Sequence, residues 1–312
     1  GVGKSTLSLA LLHDPRVYEH FGAGRVWLAL GQTATPFDTL SRLLVALGVD
    51  ISGVQDLMQL RFVLRTTLAD RHTLLVLDDV WHYEQMRTIV EAIDPTTTLL
   101  VTTRQPTIAA DLDYMVETVA VPLPHLAPGP ALETLAAPRG NQLPLNADPV
   151  GARALVADLG YLPLALHVAA RQLNRLARSE GAAAVTVLRR DLAQQLLAWR
   201  AVEPRLDIAD AQPALGAVIA LSYDTLPNDQ LRWAFCRLAV FGAQPMDFDG
   251  AAAQALWAVE IEQARAWRSI LIDAGLLALH VIEETQSPRY RLHQILRHFA
   301  LTQLAQDAAD FH

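Results

Sequence analysis

Residues 1–120 alternate short, continuous apolar runs with longer segments of helical periodicity. The apolar runs cover residues 26–30, 73–80, 98–104 and 116–121. Helical patterns at residues 37–47, 57–68 and 83–93 stand between them. Continuous apolar runs that alternate with helices indicate a parallel sheet covered on both faces. This part of the chain is therefore predicted to be an α/β domain whose last strand is 116–121.

The pattern changes after residue 121. Residues 122–149 contain seven prolines, at positions 122, 124, 128, 130, 138, 144 and 149. We expect this stretch to interrupt regular structure and to mark a domain junction. From residue 150 onward the pattern is helical and rich in Ala and Leu. Near the end, short strands at 276–282 and 288–292, with a turn at 283–287 and helices at 260–274 and 293–304, predict a winged-helix unit.

Composition narrows the class of protein. The chain is 52% hydrophobic and 19% charged, which is enough apolar material for substantial cores. Its net charge of −8 argues against binding nucleic acid or anionic membranes through bulk charge. The single cysteine, Cys236, excludes an intramolecular disulfide and a multi-cysteine metal site. No apolar run approaches the roughly 18 residues of a membrane span, so we expect a cytoplasmic protein.

The only lysine among the 25 basic residues is Lys4, within GVGKST. This is the end of the phosphate-binding pattern G-x-x-x-x-G-K-[ST], in which glycines let backbone N–H groups face phosphate oxygens at the start of a helix. Lys4 would contact the β- and γ-phosphates, Ser5 would be a ligand of Mg²⁺, and Thr6 would bond further phosphate oxygens. The predicted nucleotide-binding residues of this loop are Gly1, Val2, Gly3, Lys4, Ser5 and Thr6.

Two further apolar runs end in polar residues that suit the same chemistry. Asp78 and Asp79 follow a buried strand, and ligands of open α/β sheets bind at that edge. Asp78 is predicted to hold Mg²⁺, and Asp79 to orient or deprotonate the attacking water. After the next run, Arg104 would contact a γ-phosphate and so distinguish ATP from ADP. The candidate catalytic residues are Asp79, Asp78, Lys4 and Arg104.

An ordered set of motifs resembles the NB-ARC family of STAND-class signalling ATPases, which includes plant resistance proteins, apoptosome activators and bacterial regulators. The motifs are GVGKST at 1–6, FGAGRVWLAL at 21–30, LLVLDDV at 74–80, TLLVTTR at 98–104, GYLPLAL at 160–166, LSYDTLP at 221–227 and YRLHQIL at 290–296. They fall in the family's order and extend over nearly the whole chain. The resemblance implies a P-loop NTPase parallel sheet without its first strand (residues 1–122), a helical subdomain (123–205) and a winged-helix domain (206–312).

The resemblance also assigns roles outside the sheet. Pro163 would pack on the adenine, Leu164 beside it would belong to the nucleotide site, and His293 would contact the β-phosphate of ADP. The chain departs from the family after His293, where Gln294 replaces the usual Asp. Gln cannot supply the negative charge that would orient the histidine, so we expect this contact to be weaker or built differently.

The predicted function is an ATP/ADP switch: a closed ADP-bound state exchanges ADP for ATP, opens and oligomerises, and slow hydrolysis resets it. The alternatives are a nucleotide-controlled module of a transcriptional regulator, an AAA+-like DNA-handling ATPase, and a degenerate module that binds nucleotide but only scaffolds partners. The acidic balance gives little reason to expect DNA binding, and the intact Asp78 and Asp79 argue against the degenerate module. An effector domain before residue 1 and sensor repeats after residue 312 are expected partners in the parent chain. Because the sequence begins inside the P-loop, we expect residues 1–312 alone to bind nucleotide poorly.

Overall fold

The computed structural model describes residues 2–201, 213–242, 246–281 and 288–310. They form two compact units, one of residues 3–123 and one of the described residues from 124 onward together with Val2. Gly1, the predicted boundary between residues 205 and 206, Ile282 and the predicted turn at 283–287 lie outside the described residues.

The first unit contains a parallel sheet. Its strands are β1 (Arg25–Ala29), β2 (Thr73–Val80) and β3 (Thr97–Thr103), in the order β1-β2-β3. Seven of the eight residues of β2 are buried, the exception being Asp79. A central strand covered on both faces is why residues 74–77 form an unbroken apolar run. The predicted α/β fold with a parallel sheet is confirmed.

The helices of this unit begin at residues that favour helix starts. They are α1 (Lys4–Leu12), α2 (Pro15–Phe21), α3 (Pro36–Ala46), α4 (Leu57–Leu68), α5 (Glu84–Val90) and α6 (Thr107–Asp113). The side chains of Asp14, Thr35 and Asp56 cap α2, α3 and α4. Leucines three and four residues apart make the buried faces of α3 and α4: Leu40, Leu43, Leu44, Leu60, Leu64 and Leu68.

The prediction of a strand at residues 116–121 is wrong. These residues have no regular structure, and Val119 and Val121 are exposed. A strand requires a partner for its backbone groups. Here the N–H of Thr118 donates instead to the Asp113 carboxylate, at 3.2 Å, and its hydroxyl donates to the Val116 carbonyl, at 2.8 Å.

The second unit is mainly helical, and its prolines begin helices more often than they interrupt them. Its helices are α7 (Pro128–Ala136), α8 (Gln142–Ala147), α9 (Pro149–Asp158), α10 (Pro163–Glu180), α11 (Ala184–Ala201), α12 (Pro213–Asp224), α13 (Asp229–Arg237), α14 (Gly250–Trp257), α15 (Ile261–Asp273) and α16 (Gln294–Asp310). Pro128, Pro149 and Pro163 occupy the first turn of α7, α9 and α10. Proline fits there because the first N–H groups of a helix have no intrahelical acceptor. The expected interruption is therefore limited to residues 121–127 and the short segments between helices.

Three short strands accompany the last helices. They are β4 (Phe248–Asp249), β5 (Ala278–Val281) and β6 (Pro288–Arg291), which form an antiparallel sheet in the order β4-β6-β5. The aromatic rings of Phe248 and Tyr290 face the core of the unit from paired positions of this sheet. Within the described residues, no helix combines the length and apolar character that crossing a membrane requires.

Candidate functional site

The two aspartates at the end of β2 lie on a bulge. Leu77 pairs with Val101 and Val80 pairs with Thr103, so Asp78 and Asp79 together stand opposite Thr102. The Thr102 hydroxyl donates to Oδ1 of Asp78, at 2.5 Å, and accepts the backbone N–H of Asp79, at 3.0 Å. One side chain thus satisfies both aspartates, and the bulge directs their carboxylates differently. Asp78 is 3% exposed, whereas Asp79 is half-buried.

The Asp78 carboxylate is a buried acid next to the P-loop. Burial raises its pKa, and the negative charge of Asp79 acts in the same direction. Hydrogen bonds from Thr102 and Ser5 and the positive charge of Lys4 oppose this rise in the pKa of Asp78. The structure therefore brings Lys4, Ser5 and Asp78 together, as the sequence predicted for a site that binds phosphates and Mg²⁺.

These residues fit a nucleotide with its magnesium ion. Helix α1 begins at Lys4 after Gly3, whose φ of 100° lies in the left-handed region that glycine adopts without strain. Gly3 provides no capping side chain and no acid lies in the first turn, so the N–H groups there suit an anion. Carboxylate and hydroxyl oxygens, as in Asp78 and Ser5, are the ligand type that Mg²⁺ prefers.

Asp79 is held from two sides. The Trp81 indole Nε1–H donates to its Oδ2, at 3.0 Å. Nε of Arg104 lies 3.7 Å from its Oδ1, and the guanidinium carbon lies 5.5 Å from the centroid of the Trp81 ring. Asp79 has a φ of 57°, a left-handed conformation that Asp tolerates better than most residues. Asp79 and Arg104, both predicted to act on the nucleotide, thus contact each other in this structure.

Sequence reasoning missed Trp81 and Gln85. The buried side chain of Gln85 accepts the backbone N–H of Trp81, at 2.8 Å, and donates to the Gly31 carbonyl, at 2.7 Å. It therefore connects the segments that follow β1 and β2. Trp81 lies two residues after Asp79, but the left-handed φ of Asp79 interrupts the alternation of an extended segment, so spacing does not predict on which side Trp81 lies. Gln85 carries no signal in the sequence either.

A family model described as the NB-ARC domain matches residues 1–125. This segment includes Lys4, Ser5, the two aspartates and Arg104, which the structure gathers at one edge of the sheet. Residues 1–125 are thus similar to an NB-ARC domain.

Two similar proteins align with nearly the whole chain. The regulatory protein AfsR of Streptomyces griseus is 28% identical over 308 residues, which are 96% of this chain and 28% of that protein. AfsR of Streptomyces coelicolor is 29% identical over the same shares of both chains. The disease resistance protein RGA2 of Solanum bulbocastanum is 36% identical over 92 residues, 28% of this chain and 9% of that protein. The chain thus spans a little over a quarter of the length of the AfsR proteins.

Among solved structures, the Orc1 protein of Aeropyrum pernix in complex with DNA aligns with 97% of this chain and 84% of its own. The sequence identity is 14% and the TM-score is 0.43. No functional inference follows from a score of this size.

The remaining predicted residues lie in the second unit, outside the NB-ARC match. Pro163 is the first residue of α10 and is half-buried, as is Leu164. The turn before them is made by Gly160 and Tyr161, whose φ values are 64° and 56°. The Tyr161 carbonyl accepts the N–H of Leu126, at 3.1 Å. The GYLPLAL motif thus forms a fixed turn that starts a helix, and its contact with nucleotide stays a prediction.

His293 precedes α16 and caps it. Its Nδ1 accepts the backbone N–H of Ile295, at 3.1 Å, and its carbonyl accepts the N–H of Arg297, at 2.9 Å. The neighbouring Leu292 is fully buried and anchors the segment. The backbone N–H of Ile295 therefore orients the imidazole at Nδ1. The sequence alone assigned this orienting role to no residue, because Gln294 carries no negative charge.

Proposed function

We propose that this chain is the nucleotide-operated switch of a regulatory protein and that it binds ATP and ADP at the P-loop. The convergence of Ser5, Lys4 and the buried Asp78 carries the proposal. A carboxylate that burial penalises is stabilised when a divalent cation binds beside it. The NB-ARC match over residues 1–125 supports the same function.

The roles of the chain's residues follow from their chemistry. Bound MgATP would supply the phosphoanhydride bond and a charge-neutralising cation. Lys4 would hold the β- and γ-phosphates, and Asp78 and Ser5 would hold the cation. Asp79 would accept one proton from the water whose oxygen bonds to the γ-phosphorus, while the bond to the β-phosphate oxygen breaks and its electron pair leaves with ADP. Arg104 would stabilise the negative charge on the γ-phosphate.

Ser5→Ala tests the site, with Ser8→Ala as its matched control on the same helix. Ser5 bonds Asp78, whereas Ser8 is a buried residue one turn further along α1. In the full-length protein, we expect Ser5→Ala to weaken Mg²⁺-dependent ATP binding by about 1.5–3 kcal/mol, roughly 10- to 100-fold in Kd. Ser8→Ala should bind as the wild type does. Equal affinity in all three proteins, measured by titration calorimetry, would contradict the proposal.

For the ADP-bound state we propose that Pro163, Leu164 and His293 contact the nucleotide. The bond between Nδ1 and the Ile295 N–H orients the imidazole of His293, the side chain that would contact phosphate. His293→Asn separates the two roles of this residue, because Asn is a preferred helix cap but lacks the imidazole. We expect His293→Asn to preserve thermal stability and to release a fluorescent ADP analogue faster than the wild type. His293→Ala should release ADP faster as well, and its free energy of unfolding should fall by about 0.5–2 kcal/mol because the helix cap is lost.

The remaining proposals concern the whole protein. The alignment of AfsR, a protein named as regulatory, with 96% of this chain favours a module that controls an output elsewhere in the sequence. We propose that the second unit contains a helical subdomain and a winged-helix domain, that ATP favours an oligomerising state, and that hydrolysis is slow. Light scattering of the full-length protein with ATP and with ADP tests the oligomerisation. Equal mass in both nucleotides would contradict it.

A further inference from the structure

The side chains of Asp79, Trp81 and Arg104 contact one another and form a cluster. Trp81 Nε1 donates to one carboxylate oxygen, Arg104 Nε lies near the other, and the Arg104 guanidinium lies over the Trp81 ring. The side chains of Arg104 and Asp79 are 18% and 16% exposed, so water screens their attraction less than at an open surface. The indole is at once the donor to Asp79 and the support on which Arg104 lies.

A hydrogen bond of its backbone also fixes the position of Trp81. Its backbone N–H donates to Gln85, whose amide nitrogen donates to the Gly31 carbonyl. An indole has two rotatable side-chain bonds, and this one is restrained at its backbone and at its nitrogen. A chain of hydrogen bonds thus runs from the end of β1 through Gln85 and Trp81 to Asp79.

We propose that Trp81 is a positioning residue for ATP hydrolysis. It holds Asp79 at Oδ2 and keeps Arg104 beside Asp79 until a γ-phosphate replaces that carboxylate as the partner of Arg104. This inference rests on the proposed function. A γ-phosphate carries more negative charge than a carboxylate, so triphosphate draws Arg104 from Oδ1 and diphosphate does not. Oδ1 then accepts the proton of the attacking water, while the Trp81 bond keeps the carboxylate in place. Trp81 therefore links the recognition of a triphosphate by Arg104 to the positioning of Asp79 as the base.

Trp81→Phe removes the N–H donor and keeps an aromatic ring. Trp27→Phe is the matched control, because Trp27 lies in β1 of the same sheet and its buried Nε1 has no hydrogen-bond partner in the described structure. In the full-length protein we expect Trp81→Phe to lower kcat on the order of 10- to 100-fold, the effect of a misplaced catalytic group. The Kd for ATP and for ADP should change little, and Trp27→Phe should match the wild type in kcat and Kd. Equal kcat in the two variants would overturn the proposal.

A spectroscopic measurement follows the movement of Arg104 without turnover. In protein labelled with 5-fluorotryptophan, the ¹⁹F resonance that is lost in Trp81→Phe belongs to Trp81; Trp81→Tyr serves for the assignment if the Phe variant does not fold. We expect this resonance to shift with a non-hydrolysable ATP analogue and to stay near its nucleotide-free position with ADP. In Arg104→Gln the difference between the two nucleotides should vanish. Identical spectra with both nucleotides in the wild type would overturn the proposal.

Failure of this inference is distinguishable from failure of the proposed function. Wild-type protein that binds neither ATP nor ADP overturns both. Wild-type protein that binds and hydrolyses ATP, together with Trp81→Phe that does so at the same rate, overturns the role of Trp81 alone.

Discussion

Asp78 is the residue at which stability and function oppose each other. Its carboxylate is 3% exposed, and burial raises its pKa. The folded protein therefore binds this proton more tightly than the unfolded chain, in which the pKa is about 3.8. Stability falls as the pH rises from the unfolded value through the higher folded one, and the loss is complete above the folded pKa.

Asp78→Asn removes this penalty and keeps an oxygen that accepts the Thr102 hydroxyl. We expect the nucleotide-free variant to melt at a higher temperature than the wild type at neutral pH. Below the unfolded pKa the two proteins should melt at similar temperatures. The same change should abolish the Mg²⁺-dependent gain in ATP affinity. Thermal melts of both proteins across a pH series check this, and a variant that is less stable than the wild type at neutral pH would contradict it.

Thr102 is the second residue on which the site depends. It satisfies Asp78 Oδ1 and the Asp79 N–H at the bulge and is itself buried. Thr102→Val keeps the shape and strand preference of the side chain but leaves both groups without this partner. We expect a loss of about 1–3 kcal/mol in the free energy of unfolding, measured by urea denaturation. Thr102→Ser, which retains the hydroxyl, should recover most of that loss, and equal stability of the Val and Ser variants would disprove the role of the hydroxyl.

At the scale of elements, a buried polar network joins α10 to the segments that follow it. Gln172 of α10 donates to the Ser222 hydroxyl of α12, at 2.6 Å, and Ser222 donates to the Ala274 carbonyl at the end of α15, at 3.1 Å. Arg175 in turn donates to the Gln172 side-chain oxygen. Gln172 and Ser222 are almost fully buried. These bonds tie α10, which begins within GYLPLAL, to α12 and to the end of α15.

Gln172→Leu breaks the network from its centre. We expect it to lower the free energy of unfolding by about 1–3 kcal/mol, because Ser222 and Arg175 each lose a buried partner. Gln195→Leu is the surface control, since Gln195 bonds Asp224 at an exposed position and should change stability by less than about 0.5 kcal/mol. A double-mutant cycle with Ser222→Ala measures the coupling of Gln172 to Ser222. Additive effects would show that the two side chains act independently.

The elements also show where sequence patterns suffice. The run at 73–80 predicts β2 because a strand buried on both faces is continuously apolar, and α4 spans residues 57–68 as predicted because Asp56 caps it. The apolar run at 116–121 has the composition of a strand, but strand formation depends on a partner edge that composition does not reveal. The prolines of 122–149 are ambiguous for a similar reason, since the same residue starts a helix or ends one according to its position.

At the scale of the molecule, the residues that meet at the carboxyl edge of the parallel sheet were more predictable from the sequence than the contacts that hold them in place. Lys4, Ser5 and Asp78 are found together because a phosphate loop and a strand end meet at the same edge of a parallel sheet. The bulge at Asp78 and Asp79, the left-handed φ of Asp79 and the bond from Trp81 arise from packing between strands. The capping role of His293 likewise depends on where α16 begins.

The central claim, that Lys4 lies on the terminal phosphates of a bound nucleotide, has one direct test. Lys4 is the only lysine in residues 1–312, so within this region acylation of a lysine by an amine-reactive ester reports on Lys4 alone. Mass spectrometry of the full-length protein gives the rate of this acylation with and without nucleotide. We predict that ATP and ADP protect Lys4 and that AMP, which lacks the phosphates that this lysine contacts, does not. The same rate of Lys4 acylation with ATP, ADP, AMP and no nucleotide would contradict the account.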